Sequence, residues 1–365
     1  MFNKISRTIQ SILILNLKII KFKIFEPKKK ILIFFHPKKN LTNISIDYIQ
    51  FLLADIKNTN VVNCIGHVDD KLKEKKFFFI SQKFLKYILF VDYFFCTYVT
   101  DNFPFRCIKI YMHHDIYDTP VVNNDLQNEF LLRLNKYDYL LLPNEISKKY
   151  FRKLYSDNKI KEKFRYFVSG YLKLQYLKKL NKKNQKDKII IAPTNIYSFN
   201  GLTIFPFIKK IIFFLLSTTK YLIVLRPHPS NREDPKFLKL KKLFQNNQRF
   251  KYDVTENYHK NYSESVFMIT DLSGTAYTYC FLTKKPVIFF NDRNLLEKNF
   301  FLNLNYFKDI KKIGFEAKSF NELKIIIQNI NKYSFIKKLS IKRLENQRFT
   351  KLNSKKIILE FLNNC

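Results

Sequence analysis

Uninterrupted apolar runs of strand length recur along this chain, and they constrain its fold more than any other feature. The first half contains ILIFFH at 31–36, VVNCI at 61–65, YILFVDYFF at 87–95, IKIYM at 108–112, DYLLL at 138–142 and YFV at 166–168. Because these runs are continuous rather than alternating, they suit parallel strands covered by helices on both faces. Between several of them lie amphipathic stretches, such as NEISKKYFRKLYSD at 144–157, whose apolar residues repeat at helical spacing. Strand and helix in alternation predict an α/β fold.

A polar, lysine-rich segment, KKLNKKNQKDK at 178–188, interrupts the pattern. It restarts with KIIIA at 188–192, YLIVL at 221–225, RFKYDV at 249–254, VFMIT at 266–270 and PVIFF at 286–290, with FPFIKKIIFFLLS at 205–217 and the stretch after Ser273 as helices. At 365 residues the chain exceeds the size at which one core stops growing. The expected organisation is therefore an α/β domain over 1–178, a linker at 179–188, a second α/β domain over 189–340, and a C-terminal helix at 341–365 packing back on the first. Two such domains face each other across a crevice outside the carboxyl ends of their strands, where open α/β sheets take ligands.

Charge narrows the partners. Lys+Arg number 66 against 30 Asp+Glu, a formal net charge of +36, which draws polyanions: nucleic acid, anionic lipid or a phosphate-bearing substrate. The basic residues are enriched near the ends, at Lys18, Lys21, Lys23 and Lys28 to Lys30, and at Lys311, Lys312, Lys337, Lys338, Lys342 and Arg343. No zinc-finger spacing, RNP-like signature or helix-turn-helix pattern accompanies them, so no nucleic-acid partner is expected. A basic face resting on an anionic membrane leaflet is expected instead, each nearby Lys or Arg contributing on the order of 1 kcal/mol. AT-rich codons, which also favour the abundant Asn, Ile and Phe, are a second source of the same lysines.

Cys64, Cys96, Cys107, Cys280 and Cys365 are odd in number and irregular in spacing, so neither a disulfide framework nor a zinc site follows, and reduced thiols are expected. SILILNLKII is interrupted by Lys18 without a small-residue cleavage site, so no secretory leader is expected. No apolar run reaches membrane-spanning length, IIFFLLSTTKYLIVL being split by Ser217, Thr218, Thr219 and Lys220. A chain of this kind that meets a membrane lies against it.

Four strand ends hold the unusual residues. After YLIVL come Arg226, Pro227, His228 and Pro229; the guanidinium can offer a planar fork to phosphate, and the two prolines fix the backbone around His228. After VFMIT come Asp271, Ser273, Gly274 and Thr275, ahead of a helix. Amides and hydroxyls at a helix start suit phosphate oxygens, although helix capping by Asp271 or Ser273 explains the same residues. After IKIYM come His113, His114, Asp115 and Asp118, which suit a general base with an orienting acid, or a metal site if both rings reached one ion. After KIIIA come Thr194 and Asn195, as a phosphate contact or a turn, and Gly170 in YFVSGYLKL suits close backbone approach at the junction.

The order of these motifs, IYMHHD, SGYLK, IAPT, RPHP, TDLSG and KKPVIFF, resembles that of the CDP-glycerol glycerophosphotransferases over roughly residues 105–300. The resemblance implies a GT-B-like fold, two Rossmann-like doubly wound domains facing a central cleft. It also implies transfer of glycerophosphate from a CDP-linked or other nucleotide-activated donor to a hydroxyl acceptor, lipid-linked or glycan, in cell-envelope polymer synthesis. The family's His-Gly pair falls on His114 and Asp115, the departure keeping His113 as a second candidate for the base. Its Arg-Pro-His-Pro histidine falls on His228, with a pyrophosphate-facing role beside Arg226. Its Asp-Tyr-Ser-Ser segment falls on Asp271, Leu272, Ser273 and Gly274, with Thr275 supplying a hydroxyl; Leu172 and Gln175 replace its proline and following aspartate. No cofactor or metal is implied, and the expected location is cytoplasmic, on the inner face of the cell membrane. A nucleotide-sugar glycosyltransferase or epimerase shares the two-domain form, and a non-catalytic polyanion-binding protein would rest on charge alone.

Overall fold

A computed structural model describes residues 2–36, 43–66, 77–114, 116–117, 124–180, 187–197, 202–255, 258–290, 304–349 and 353–364. The first half runs α1 (Phe2–Phe25), β1 (Lys30–His36), α2 (Asn43–Leu53), β2 (Thr59–Ile65), β3 (Phe78–Phe79), β4 (Tyr93–Cys96), β5 (Ile108–Met112), α3 (Asn124–Leu134), β6 (Tyr139–Leu142), α4 (Glu145–Asp157), β7 (Arg165–Val168) and α5 (Leu172–Leu180). The second runs β8 (Lys188–Ala192), α6 (Ile208–Thr218), β9 (Leu222–Leu225), α7 (Pro235–Phe244), β10 (Phe250–Tyr252), α8 (Tyr258–Glu264), β11 (Ser265–Thr270), α9 (Thr275–Thr283), β12 (Val287–Phe290), α10 (Asn305–Ile313), β13 (Gly314–Ala317), α11 (Phe320–Arg348) and α12 (Ser354–Asn364).

The strands form two sheets, ordered β3-β2-β1-β4-β5-β6-β7 and β10-β9-β8-β11-β12-β13. Every neighbouring pair is parallel. This is the α/β class read from the continuous apolar runs, in the doubly wound form that the family resemblance implied, and β1, β4, β8 and β12 are buried at nearly every position, as strands covered on both faces must be. Strand order reverses between β1 and β4 and again between β8 and β11. At such switch points the connections leave in opposite directions and open a crevice outside the carboxyl ends.

Three local expectations change. Of YILFVDYFF only Tyr93, Phe94 and Phe95 lie in a strand, β4; Gln82–Tyr87 is a tight helical turn, and Phe90 takes φ 58°, a left-handed conformation that interrupts a strand. β3 and β13 were not visible as apolar runs. In β13 the composition GFEA hides a strand that pairs closely with β12, where a Cβ on Gly314 would overlap the Val287 carbonyl. Residue 341 does not begin a helix, because α11 is continuous from Phe320 to Arg348. Its apolar residues change partners along its length, Leu323, Ile327 and Ile330 joining the second sheet's core while Ile341 and Leu344 join a cluster between the sheets.

That intermediate cluster gathers Ile116, Tyr117, Tyr171, Leu174 and Leu177 with Tyr277, Cys280 and Phe281 of α9, so the two sheets share a core. α9 is buried at every position from Ala276 to Leu282, which explains why its sequence has no polar face. After α11 the chain returns to the first sheet, where Ile358 and Leu362 of α12 are buried and Phe361 packs on Tyr139 and Phe167 at 5.0 and 4.5 Å. Cys64, Cys96, Cys107 and Cys280 are buried free thiols, and burial pushes the Cys96 and Cys107 thiols up to about 12.

Candidate active site

Three adjacent strand ends of the second sheet build one wall. Leu225 of β9 pairs with Ile191 of β8, and Ala192 of β8 pairs with Thr270 of β11, so the segments starting at Arg226, Pro193 and Asp271 leave side by side at the switch point. Buried Asp271 ties the β11 exit to the loop after β8. Its Oδ1 accepts the Thr194 amide at 2.8 Å and its Oδ2 the Ile204 amide at 3.0 Å. Burial pushes its pKa up to about 6 despite those amides. Asp271 is thus a brace between loops, and Thr194, buried, spends its amide on it. Asn195 makes a local turn to the Tyr197 amide.

Within the β11–α9 turn only Ser273, Gly274 and Thr275 are partly exposed, flanked by buried Asp271 and Leu272 on one side and Ala276 onward on the other. Neither Asp271 nor Ser273 caps α9: the cap residue is Gly274, without a side-chain hydrogen bond. The capping explanation therefore falls away. The dipole at the first turn of α9 favours an anion; the Ala276 amide donates to the Ser273 carbonyl at 3.1 Å, and the Thr275 hydroxyl lies 2.7 Å from Tyr262 Oη.

Arg226 departs from its expected role. It is 8% exposed, and its Nη1 donates to Asp253 Oδ2 at 2.8 Å and to the Thr255 carbonyl at 2.8 Å, the guanidinium lying 5.1 Å from the Tyr258 ring. Asn261 donates to the same Asp253 oxygen at 2.8 Å, and the Thr255 amide and hydroxyl to the other at 2.9 and 2.6 Å. Burial alone would raise the Asp253 carboxyl; the Arg226 charge and the Thr255 bonds outweigh it and hold it below the ordinary carboxylate range. The fork expected to face phosphate is an internal ion pair that anchors the β9 exit. Only the partner Asp253, hidden in RFKYDV as a strand residue, could have signalled this.

His228 is half-buried on the turn that follows. Its Nδ1 accepts the Ser230 amide at 3.2 Å. A neutral ring with Nδ1 accepting carries its proton on Nε2, so Nε2 is a donor, suited to an oxyanion. Asn231, on the same turn, accepts the Ile196 amide at 3.2 Å, which draws the β8 and β9 loops together.

On the first sheet, β5 delivers the adjacent His113 and His114, whose ring centroids lie 5.7 Å apart with planes tilted by 48°. His113 is 4% exposed, 3.4 Å from Tyr111 Oη and edge-on to Phe151 at 5.2 Å. His114 is half-buried and stacks on Tyr98 at 4.7 Å. Tyr98 in turn meets His36, at the end of β1, at 5.7 Å. The sequence reading missed Tyr98 and His36; His36 ends β1 and Tyr98 follows β4, at the β1/β4 switch point, a position visible only once strand order is known. Among the described residues no three His, Cys, Asp or Glu are grouped to hold a metal ion. Asp115 and Asp118 lie outside the described residues.

A family model described as CDP-glycerol:poly(glycerophosphate) glycerophosphotransferase matches residues 88–356. No curated protein matches the sequence. Among solved structures, the wall teichoic acid polymerase TagF is 18% identical with a TM-score of 0.62, covering 100% of this chain and 98% of that one. A TagF variant soaked with CDPG is 18% identical with a TM-score of 0.63, covering 100% and 96%. The S. aureus MnaA–UDP co-structure is 14% identical with a TM-score of 0.60, covering 92% and 98%. At these identities the structural likeness speaks to the fold.

Proposed function

The chain belongs to the CDP-glycerol:poly(glycerophosphate) glycerophosphotransferase family, and on that footing we propose that His114 takes the acceptor proton while His228 and the Ser273–Gly274–Thr275 turn hold the donor's pyrophosphate. As a member of that family it is a transferase of the glycerophosphotransferase type. We assign the donor to residues 189–340 and the acceptor to 1–178. The acceptor hydroxyl attacks the phosphorus that bears glycerol, a new P–O bond forms, and the bond from that phosphorus to the bridging oxygen breaks to release CMP. His114 receives the hydroxyl proton; the His228 Nε2–H and the dipole at the start of α9 meet the charge growing on the bridging oxygen. The observation that carries this reading is the convergence of the β8, β9 and β11 exits at one switch point, where His228 and residues 273–275 are partly exposed.

The soaked CDPG in the TagF variant supports a CDP-linked donor. Thermal stabilisation by CDP-glycerol, CDP-ribitol, UDP-sugars and GDP-sugars tests it: a ligand at about 100 times its Kd adds about 2.7 kcal/mol to stability. CDP-glycerol or CDP-ribitol is expected to raise Tm in the parent and to lose most of that effect in His228→Ala. A response to UDP-sugars alone would turn the reading to a glycosyltransferase or epimerase. Equal, salt-sensitive responses to every polyanion would turn it to charge-driven binding.

The acceptor is a hydroxyl-bearing polymer or lipid-linked glycan, reached at an anionic inner-leaflet surface. α1 supports the membrane part. Ile5, Ile9, Leu13, Leu17, Ile20 and Ile24 form one exposed stripe along it, bordered by Arg7, Lys18 and Lys21, while Ile12, Leu15 and Ile19 are buried in the first core. Exposed Tyr87, Leu89 and Phe90 adjoin it through Asn16, which bonds the Tyr87 carbonyl and Leu89 amide. Among the described residues no helix is long and apolar enough to cross a membrane. A helix with an apolar stripe and basic margin lies in the interface plane. Co-sedimentation with phosphatidylglycerol vesicles is expected at low salt and not with phosphatidylcholine; Leu13→Asp/Leu17→Asp should abolish it. Binding that ignores this pair removes α1 from the role.

A further inference from the structure

Helix α9 meets the site twice. Its first turn adjoins Ser273 and Gly274, and its side touches the segment that carries His114. Tyr171, just after Gly170 takes φ 78° in the turn leaving β7, donates its hydroxyl to the His114 carbonyl at 3.2 Å and lies 3.5 Å from Thr278 Oγ1 on α9. Beyond His114, the Tyr117 ring stacks on Tyr277 of α9, centroids 4.4 Å apart and planes 16° apart. The Tyr117 hydroxyl donates to Asp309, which also pairs with Arg348 at 2.8 Å and Lys312 at 2.7 Å. Asn144 Nδ2 donates to the Ile116 carbonyl at 2.9 Å. Tyr117, Tyr171, Tyr277 and Thr278 are all buried, so these contacts are shielded from competing water.

We propose that Tyr171 is a positioning residue for the transfer: its hydroxyl fixes the His114 backbone against α9, so that proton acceptor and phosphate-binding turn keep one spacing although they come from different sheets. The inference rests on His114 being the base. Geometry of this kind acts on turnover rather than on donor affinity, because the donor's contacts lie on the second sheet while the misplaced group is on the first. Small displacements of reacting groups carry large kinetic consequences.

The test is a double-mutant cycle read by CMP release from CDP-glycerol. Tyr171→Phe keeps the buried ring and is expected to lower kcat about tenfold, with KM for CDP-glycerol held within about twofold. In the His114→Ala background the same substitution is expected to change the residual rate by less than about twofold, since the group it positions is gone. Parental kcat in Tyr171→Phe overturns the proposal, as does a rise in KM that accounts for the loss. An equal tenfold loss in both backgrounds also overturns it, because a general structural defect acts whether or not the base is present. Parental turnover in His114→Ala would remove the base assignment and this proposal with it. Full activity of Tyr171→Phe beside an inactive His114→Ala would remove the positioning role alone.

Discussion

His114→Ala is expected to lower kcat at least about a hundredfold, the lower end of what a positioned general base contributes, while leaving the melting temperature near that of the parent. The side chain is half-buried and makes its main ring contact with Tyr98, so its removal opens little of the core. His113→Ala is the informative contrast. That ring is buried between Tyr111 and Phe151, so its loss should act on stability first and on chemistry only through it. Steady-state kinetics and thermal unfolding on both variants separate the two histidines. A His114→Ala enzyme within tenfold of the parent would place the base elsewhere.

Asp253→Ala is expected to be the most destabilising single change discussed here, at about 3–5 kcal/mol, because it leaves the Arg226 charge buried without its partner. For a protein with cores of this size that corresponds to a fall in Tm of about 10 °C. Arg226→Ala should cost a similar amount, since Asp253 is fully buried and would keep its charge in an apolar setting with only Thr255 and Asn261 to satisfy it. Replacing both, as Arg226→Met with Asp253→Leu, should recover much of the loss, because neither charge is then stranded. A Tm within 2 or about 3 °C of the parent for Asp253→Ala would show that water reaches the pair and screens it. The same set decides the role of Arg226: if its contribution is anchorage, donor binding in the double variant survives wherever the β9 exit keeps its path.

The sequence made the strand ends legible because parallel strands advertise themselves as unbroken apolar runs, and because unusual residues directly after such runs stand at the edge of a sheet. His114, His228 and Ser273 were found that way, and the structure sets each at a strand exit, half-buried rather than enclosed. Burial was not legible. Arg226 and Asp271 have the residue types of ligands, and what assigns them to scaffolding is the presence of Asp253 in one case and two backbone amides in the other, 27 and 67 to 77 residues away in the chain. Strand order was not legible either, and with it the switch points that single out His36 and Tyr98. Residues that act across the junction, Tyr117 and Tyr171, carry no local signal, since each reads as an ordinary aromatic until its partner on α9 is known.

The return of the chain from the second sheet to the first has a consequence for synthesis. The first core receives Ile358 and Leu362 from α12 and an ion pair between Lys355 and Asp55, so a core begun by residues made early is completed by residues made some 300 positions later. Folding from the N-terminus as the chain leaves the ribosome therefore cannot finish the first half before the second exists. For the same reason, no cut at 179–188 yields two self-sufficient fragments: the N-terminal piece would lack its last helix, and the C-terminal piece would carry that helix with nothing to bury it against.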